Sequence, residues 1–93
     1  MEIKYEVVYR SEVRREDFPR IDLKWMKTVQ KAIEEKLMTA PAIYGKPLQQ
    51  DLKGCRRLRV GDYRVVFQIH KNQVHVLAIV HRSSNYKGVG KRI

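Results

Sequence analysis

Apolar and polar residues alternate along this chain with two different periods. The run "IKYEVVYR" (3–10) is rich in β-branched and aromatic residues and predicts a first strand. The stretch "SEVRREDFPRID" is polar and interrupted by Pro19, which predicts a short helix ending before Phe18-Pro19, or a loop. Asp22 then stands at an N-cap position. After it Leu23, Met26, Val29, Ile33 and Leu37 recur at steps of three and four, with Trp25 and Ala32 flanking them. That is one apolar stripe of a helix, and Lys24, Lys27, Lys31 and Glu35 form its watered face. Pro41 is expected to end the helix. Two prolines and a glycine make "APAIYGKPLQQ" (40–50) read as a loop.

Strands are predicted at about 55–60, 63–70 and 73–81, where the period changes to two. Gly61-Asp62 and Lys71-Asn72 separate them, and each pair is short enough for a two-residue hairpin turn. The order β, α(α), β, β, β predicts an α+β fold, with one or two N-terminal helices on one face of an antiparallel sheet. The length suits one domain, residues 1–93. The last residues, "KGVGKRI", are expected to fray or dock weakly.

A turn at Gly61-Asp62 dictates the register that follows. Val60 then pairs with Tyr63, Arg59 with Arg64, Leu58 with Val65 and Arg57 with Val66. Side chains alternate between faces, so Leu58, Val60, Tyr63, Val65, Phe67 and Ile69 share an apolar face that packs on the helix. Arg57, Arg59 and Arg64 share the other. Continued without a bulge through Lys71-Asn72, the register puts Val74, Val76, Ala78 and Val80 on the core face. It puts His75, Leu77, Ile79 and His81 with the arginines, and Arg82 just beyond. Arg59 and Arg64 side by side repel each other unless an anion bridges them, which points to phosphate.

Charge sharpens that reading. The net charge is +10, and it is uneven. Residues 1–49 hold ten Lys/Arg and eight Asp/Glu (+2), whereas residues 51–93 hold ten Lys/Arg and only Asp51 and Asp62 (+8). A basic half of this kind attracts polyanions: nucleic acid, an acidic protein, or less often a membrane surface. Arginine clustered beside strand positions suits phosphate better than scattered lysine does. No run of 18 apolar residues exists, so no membrane span is expected. The N-terminus lacks the pattern of a secretory signal, and the lone Cys55 fits a reducing cytoplasm and reads as a small strand residue.

His70, His75 and His81 show no recognised ligand spacing with Cys55 or with carboxylates, so neither a metal nor another cofactor is expected. No nucleophile-elbow, paired-cysteine or P-loop pattern occurs. What remains is a basic face with Tyr63, His75, His81 and Tyr86 as proton carriers, Tyr63 being the weakest because it lies on the core face. Such a set suits RNA cleavage without metal: a 2′-hydroxyl attacks its own adjacent phosphate while cations hold the added charge. It suits plain phosphate binding equally well.

"LKGCRRLRVGDYRVVFQI" followed by "VHVLAIVHRSSNYK" resembles the RelE/ParE toxin superfamily, as do the long helix, "P..YGKPL" and "LKG". The resemblance is strongest over residues 48–86. It implies a four-stranded antiparallel sheet and a toxin of a type II toxin–antitoxin pair. It further implies metal-independent cleavage of mRNA in the ribosomal A site, leaving a 2′,3′-cyclic phosphate. The partner it implies is an acidic antitoxin covering the basic face. By the same resemblance Arg64 stabilises the transition-state phosphate, Arg82 assists the leaving group and Tyr86 is the general base. Arg57 and Arg59 stand where RelE has lysines. Arginine is a poor proton carrier, so His81 becomes a candidate beside Tyr86. Arg56, Arg57, Arg59, Lys53 and Lys87 are the expected phosphate-binding set. The alternatives are a ParE-like inhibitor of DNA gyrase without cleavage, or an inactive member that binds only antitoxin or RNA.

Overall fold

A computed structural model describes residues 4–84 and 86–92 of the chain. Ile3, the start of the first predicted strand, and Ile93, the end of the tail, lie outside the described residues. The strands are β1 (Glu6–Tyr9), β2 (Lys46–Pro47), β3 (Arg56–Val60), β4 (Tyr63–His70) and β5 (Gln73–His81). The helices are α1 (Leu23–Ala32) and α2 (Pro41–Tyr44).

The three C-terminal strands match the predicted hairpins. β3 and β4 pair in the expected register, with Arg59 opposite Arg64 and Val60 opposite Tyr63. The sheet as a whole is larger and mixed. Among the described residues its order is β1-β5-β4-β3-β2, five strands rather than four, and β1 runs parallel to β5. Parallel neighbours need a long connection, and here the helical segment between residues 10 and 45 carries the chain to β2 at the opposite edge, from which β3 and β4 lead back to β5.

Residues 40–50 are not a plain loop. Pro41 opens α2 instead of ending α1, because a first-turn proline gives up no hydrogen bond. α1 continues into Ile33–Leu37, where the hydrogen bonds widen to five residues and the Met38 N–H donates to the Ile33 carbonyl (3.2 Å). Lys46 and Pro47 pair with Arg57 and Arg56, and Pro47 is tolerated because β2 is an edge strand. The ambiguous "SEVRREDFPRID" is helical over Val13–Asp17, with a tighter turn over Phe18–Arg20.

Asp22 caps α1 as expected, its Oδ1 accepting from the Lys24 N–H at 2.9 Å. Val29, Ile33 and Leu37 are buried against Leu58, Val65, Phe67, Val74, Val76 and Ile79. Leu23 departs from the predicted stripe and is 82% exposed. The buried face is centred on Val29 and Ile33 and shifted towards Trp25 and Ala32, which leaves Leu23 outside it.

One bulge reorders the far half of β5. Phe67 pairs with Val76, but Val66 pairs with Ala78, so Leu77 is the extra residue. Leu77 and Ala78 are both buried with Cys55, Val66 and Val89 in a second apolar cluster. A bulge lets two consecutive residues oppose one, and here it buries both. Beyond it the expected faces exchange. Ile79 joins the helix-side core, His81 pairs with Tyr63, and Val80 pairs with Arg64.

The tail docks firmly rather than fraying. Val89 is buried in the second cluster, and Arg92 forms an ion pair with buried Asp17. These two side chains also serve β5 where β1 has ended: Asp17 accepts from the Ile79 N–H (2.9 Å) and Arg92 donates to the Leu77 carbonyl (3.2 Å). Among the described residues no helix is long and apolar enough to cross a membrane.

Candidate functional site

The ends of β3, β4 and β5 and the turn after β5 enclose a cleft of about 180 Å³. It is lined by Arg57, Arg64, Val80, His81, Arg82 and Tyr86. Arg57 and Arg64 come from the outer face of the β3–β4 hairpin. The repulsion expected between Arg59 and Arg64 is relieved locally, because the Arg64 guanidinium donates to the carbonyls of Gly61 (2.9 Å) and Tyr63 (3.0 Å).

The hairpin turn also sets Arg82. Its backbone N–H donates to the Asp62 carbonyl at 2.7 Å, and its Nε lies 3.5 Å from Asp62 Oδ1. Both side chains are exposed, so the ion pair aligns Arg82 without binding it tightly. Asp62 reads in the sequence only as a turn residue, and no local pattern signals this second use.

His81 enters the cleft by a route the bulge-free register did not contain. It leaves the strand on the side of Tyr63, whose ring meets the imidazole edge-on at 5.4 Å, and Tyr63 in turn packs against Trp25 at 5.8 Å. Ser83 occupies Nδ1: its Oγ is 2.9 Å away and its backbone N–H donates at 3.2 Å. The neutral ring accepts from Ser83 N–H and the imidazolium donates to Ser83 Oγ, so Nε2 is the nitrogen left for a substrate.

Tyr86 sits in the left-handed region, with φ 63°, a conformation that is unfavourable for a residue carrying a Cβ. Its surroundings hold it there. The ring packs on the second apolar cluster, its carbonyl accepts from the Val89 N–H (3.1 Å), and its hydroxyl accepts from Arg57 Nη1 at 3.5 Å.

Five expected residues, Arg57, Arg64, His81, Arg82 and Tyr86, are thus brought together. Four are not. Arg59 lines a neighbouring groove with Lys36, Tyr44 and Lys46. Lys53 is exposed ahead of β3 and Lys87 borders a separate cavity beside Glu12 and Glu16. Arg56 pairs across from Phe67 on the helix side, where it donates to the carbonyls of Gly45 (3.0 Å) and Ala42 (3.4 Å). The side-chain alternation that places Arg57 outside necessarily turns Arg56 inward.

The fold is that of the RelE-like toxins. The toxin–antitoxin complex RelBE2 from Mycobacterium tuberculosis superposes with a TM-score of 0.80 at 28% identity, over 87% of this chain and 94% of that one. YafQ from E. coli shares the fold at a TM-score of 0.56 and 17% identity, over 89% of this chain and 99% of that one. A curated relative, Toxin RelE of M. tuberculosis, is 42% identical over 53 residues. That match spans 55% of this chain and 55% of the relative, about half the length of each. Residues 9–86 match the model of the ParE toxin of the type II toxin–antitoxin system, parDE. The chain belongs to the ParE toxin family of type II toxin–antitoxin systems.

Proposed function

We propose that this chain is a toxin that cleaves mRNA on the ribosome by attack of a 2′-hydroxyl on the adjacent phosphorus. The observation that carries the reading is the cleft in which Arg57, Arg64 and Arg82 converge with Tyr86 and His81. The 2′-oxygen forms a bond to phosphorus, the bond from phosphorus to the 5′-oxygen breaks, and the products are a 2′,3′-cyclic phosphate and a 5′-hydroxyl. Tyr86, reacting as its phenolate beside the Arg57 guanidinium, takes the 2′ proton and becomes the neutral phenol. His81 delivers a proton from Nε2 to the departing 5′-oxygen while Arg82 draws its charge. Arg64 and Arg57 hold the added negative charge on the phosphate oxygens, the part of such reactions where fixed cations contribute most. The step uses only side chains and needs no metal.

An acidic antitoxin is the proposed protein partner, covering this basic face. The +8 charge of residues 51–93 and the likeness to the RelBE2 complex support it. Placement in the ribosomal A site follows the RelE resemblance. A second reading is inhibition of DNA gyrase without cleavage, which the ParE family match favours. The nuclease takes precedence because the cleft assembles proton carriers with cations.

The test is primer extension on mRNA in a translating extract, with wild type beside Arg64→Ala. New ends in register with codons, absent in the variant, are expected. An intact message overturns the nuclease reading, and a supercoiling assay with gyrase then decides the second one.

A further inference from the structure

Immediately beside the cleft, between α2 and β3, lies a second groove of about 240 Å³, lined by Lys36, Tyr44, Lys46, Arg57, Leu58 and Arg59. Arg57 lines both spaces, so the two adjoin at its side chain. Four of the six lining residues are cations and none is acidic. Among the described residues none of these four cations forms an ion pair with a carboxylate. Among the described residues the aromatic ring in the groove is Tyr44, which is 47% exposed, and Lys36 Nζ lies 5.6 Å from its centroid.

The position of Tyr44 is built rather than incidental. The next residue, Gly45, is buried against Phe67, and a Cβ there would come within 2.2 Å of that ring. Arg56 binds the Gly45 and Ala42 carbonyls from below, so the end of α2 is tied to β3 on both sides of Tyr44. The arginine that is turned away from the cleft thus anchors the ring that flanks it.

We propose that this groove is a second RNA subsite, which takes the nucleotide next to the scissile phosphate, stacks its base on Tyr44 and holds its phosphate with Lys46 and Arg59. A ring beside an unpaired cationic groove is the arrangement that binds single-stranded nucleic acid, because every base offers a face to stack and every linkage a charge to neutralise. The inference rests on the nuclease reading for the name of the neighbouring site. Binding and cleavage are separable, and the test uses that.

The probe is a short, fluorescently labelled single-stranded RNA, 2′-O-methylated throughout so that no cleavage occurs, with affinity read by anisotropy. Tyr44→Ala is expected to weaken binding roughly tenfold and Tyr44→Phe to leave it unchanged. Lys46→Ala and Arg59→Ala should each reduce the slope of log affinity against log salt by about 1. An abasic residue at the stacked position should abolish the difference between wild type and Tyr44→Ala. Equal affinity of wild type and Tyr44→Ala, or no measurable binding by wild type, overturns the proposal. So does a Tyr44→Ala loss confined to an acidic antitoxin peptide, which assigns the groove to protein. Circular dichroism confirms that each variant is folded. Loss of cleavage alone in the extract assay would sink the nuclease reading and leave this binding result standing.

Discussion

Arg92 grips Asp17 across 75 residues of sequence through two parallel hydrogen bonds, Nη1 to Oδ2 at 2.7 Å and Nη2 to Oδ1 at 3.0 Å. Asp17 is 4% exposed. The hydrogen bonds to Asp17, opposed by burial and helped by the attraction of Asp17, Glu16 and Glu12, hold the Arg92 guanidinium above its ordinary range. The pair closes the open edge of β5 and pins the segment that carries Val89 and Tyr86. Arg92→Ala leaves a buried carboxylate unpaired and is expected to cost about 3–5 kcal/mol. Asp17→Asn keeps an acceptor for Ile79 and should cost less. Urea unfolding of the two variants measures the difference.

Arg64 lies on the outer face, and among the described residues its guanidinium hydrogen-bonds only to the carbonyls of Gly61 and Tyr63, so its removal should spare the fold. Arg64→Ala is expected to lower cleavage about a hundredfold or more, with an unchanged unfolding midpoint. Toxicity that persists at matched expression would remove Arg64 from the site.

The β3–β4 turn is seated on a tryptophan. Gly61 has φ +56°, and a Cβ there would lie 2.3 Å from the Trp25 ring. Gly61→Ala combines backbone strain with a clash and should destabilise by about 1–3 kcal/mol. Trp25 fluorescence should shift in the folded variant, because the ring that also packs at a tilt against Tyr63 has to move.

Cys55 is buried, and burial pushes its thiol above the ordinary value of 9.0. It should resist thiol reagents at neutral pH while the protein is folded and react fully in denaturant. Rapid labelling of the native protein would show that the second apolar cluster opens.

Burial, reinforced by Glu34, raises Tyr9 above its ordinary value of 10.0. The folded state therefore holds the phenolic proton more tightly than the unfolded chain. Its contribution to stability is complete below pH 10 and is lost as pH rises through the folded value. Wild type should lose stability above pH 10 more steeply than Tyr9→Phe, as urea midpoints at rising pH would reveal.

Much of this protein was legible in local pattern. Period-two alternation and two-residue turns determined β3, β4 and β5, the facing of Arg59 on Arg64, and the outward placement of Arg57. The N-cap at Asp22 and the stripe through Val29, Ile33 and Leu37 determined α1. Arg57, Arg64, Arg82 and Tyr86 could be named as a site because their motif carries a family resemblance. Tertiary structure alone decided the rest. The parallel seat of β1 beside β5 depends on where the long connection packs. The bulge at Leu77 depends on two adjacent apolar residues both finding burial, and alternation has no means of anticipating it. That bulge turns His81 towards Tyr63. The grip of Arg92 on Asp17 joins two polar residues that look solvated when read singly. Local periodicity encodes which face a side chain takes, but only the packed fold determines which distant groups that face will meet.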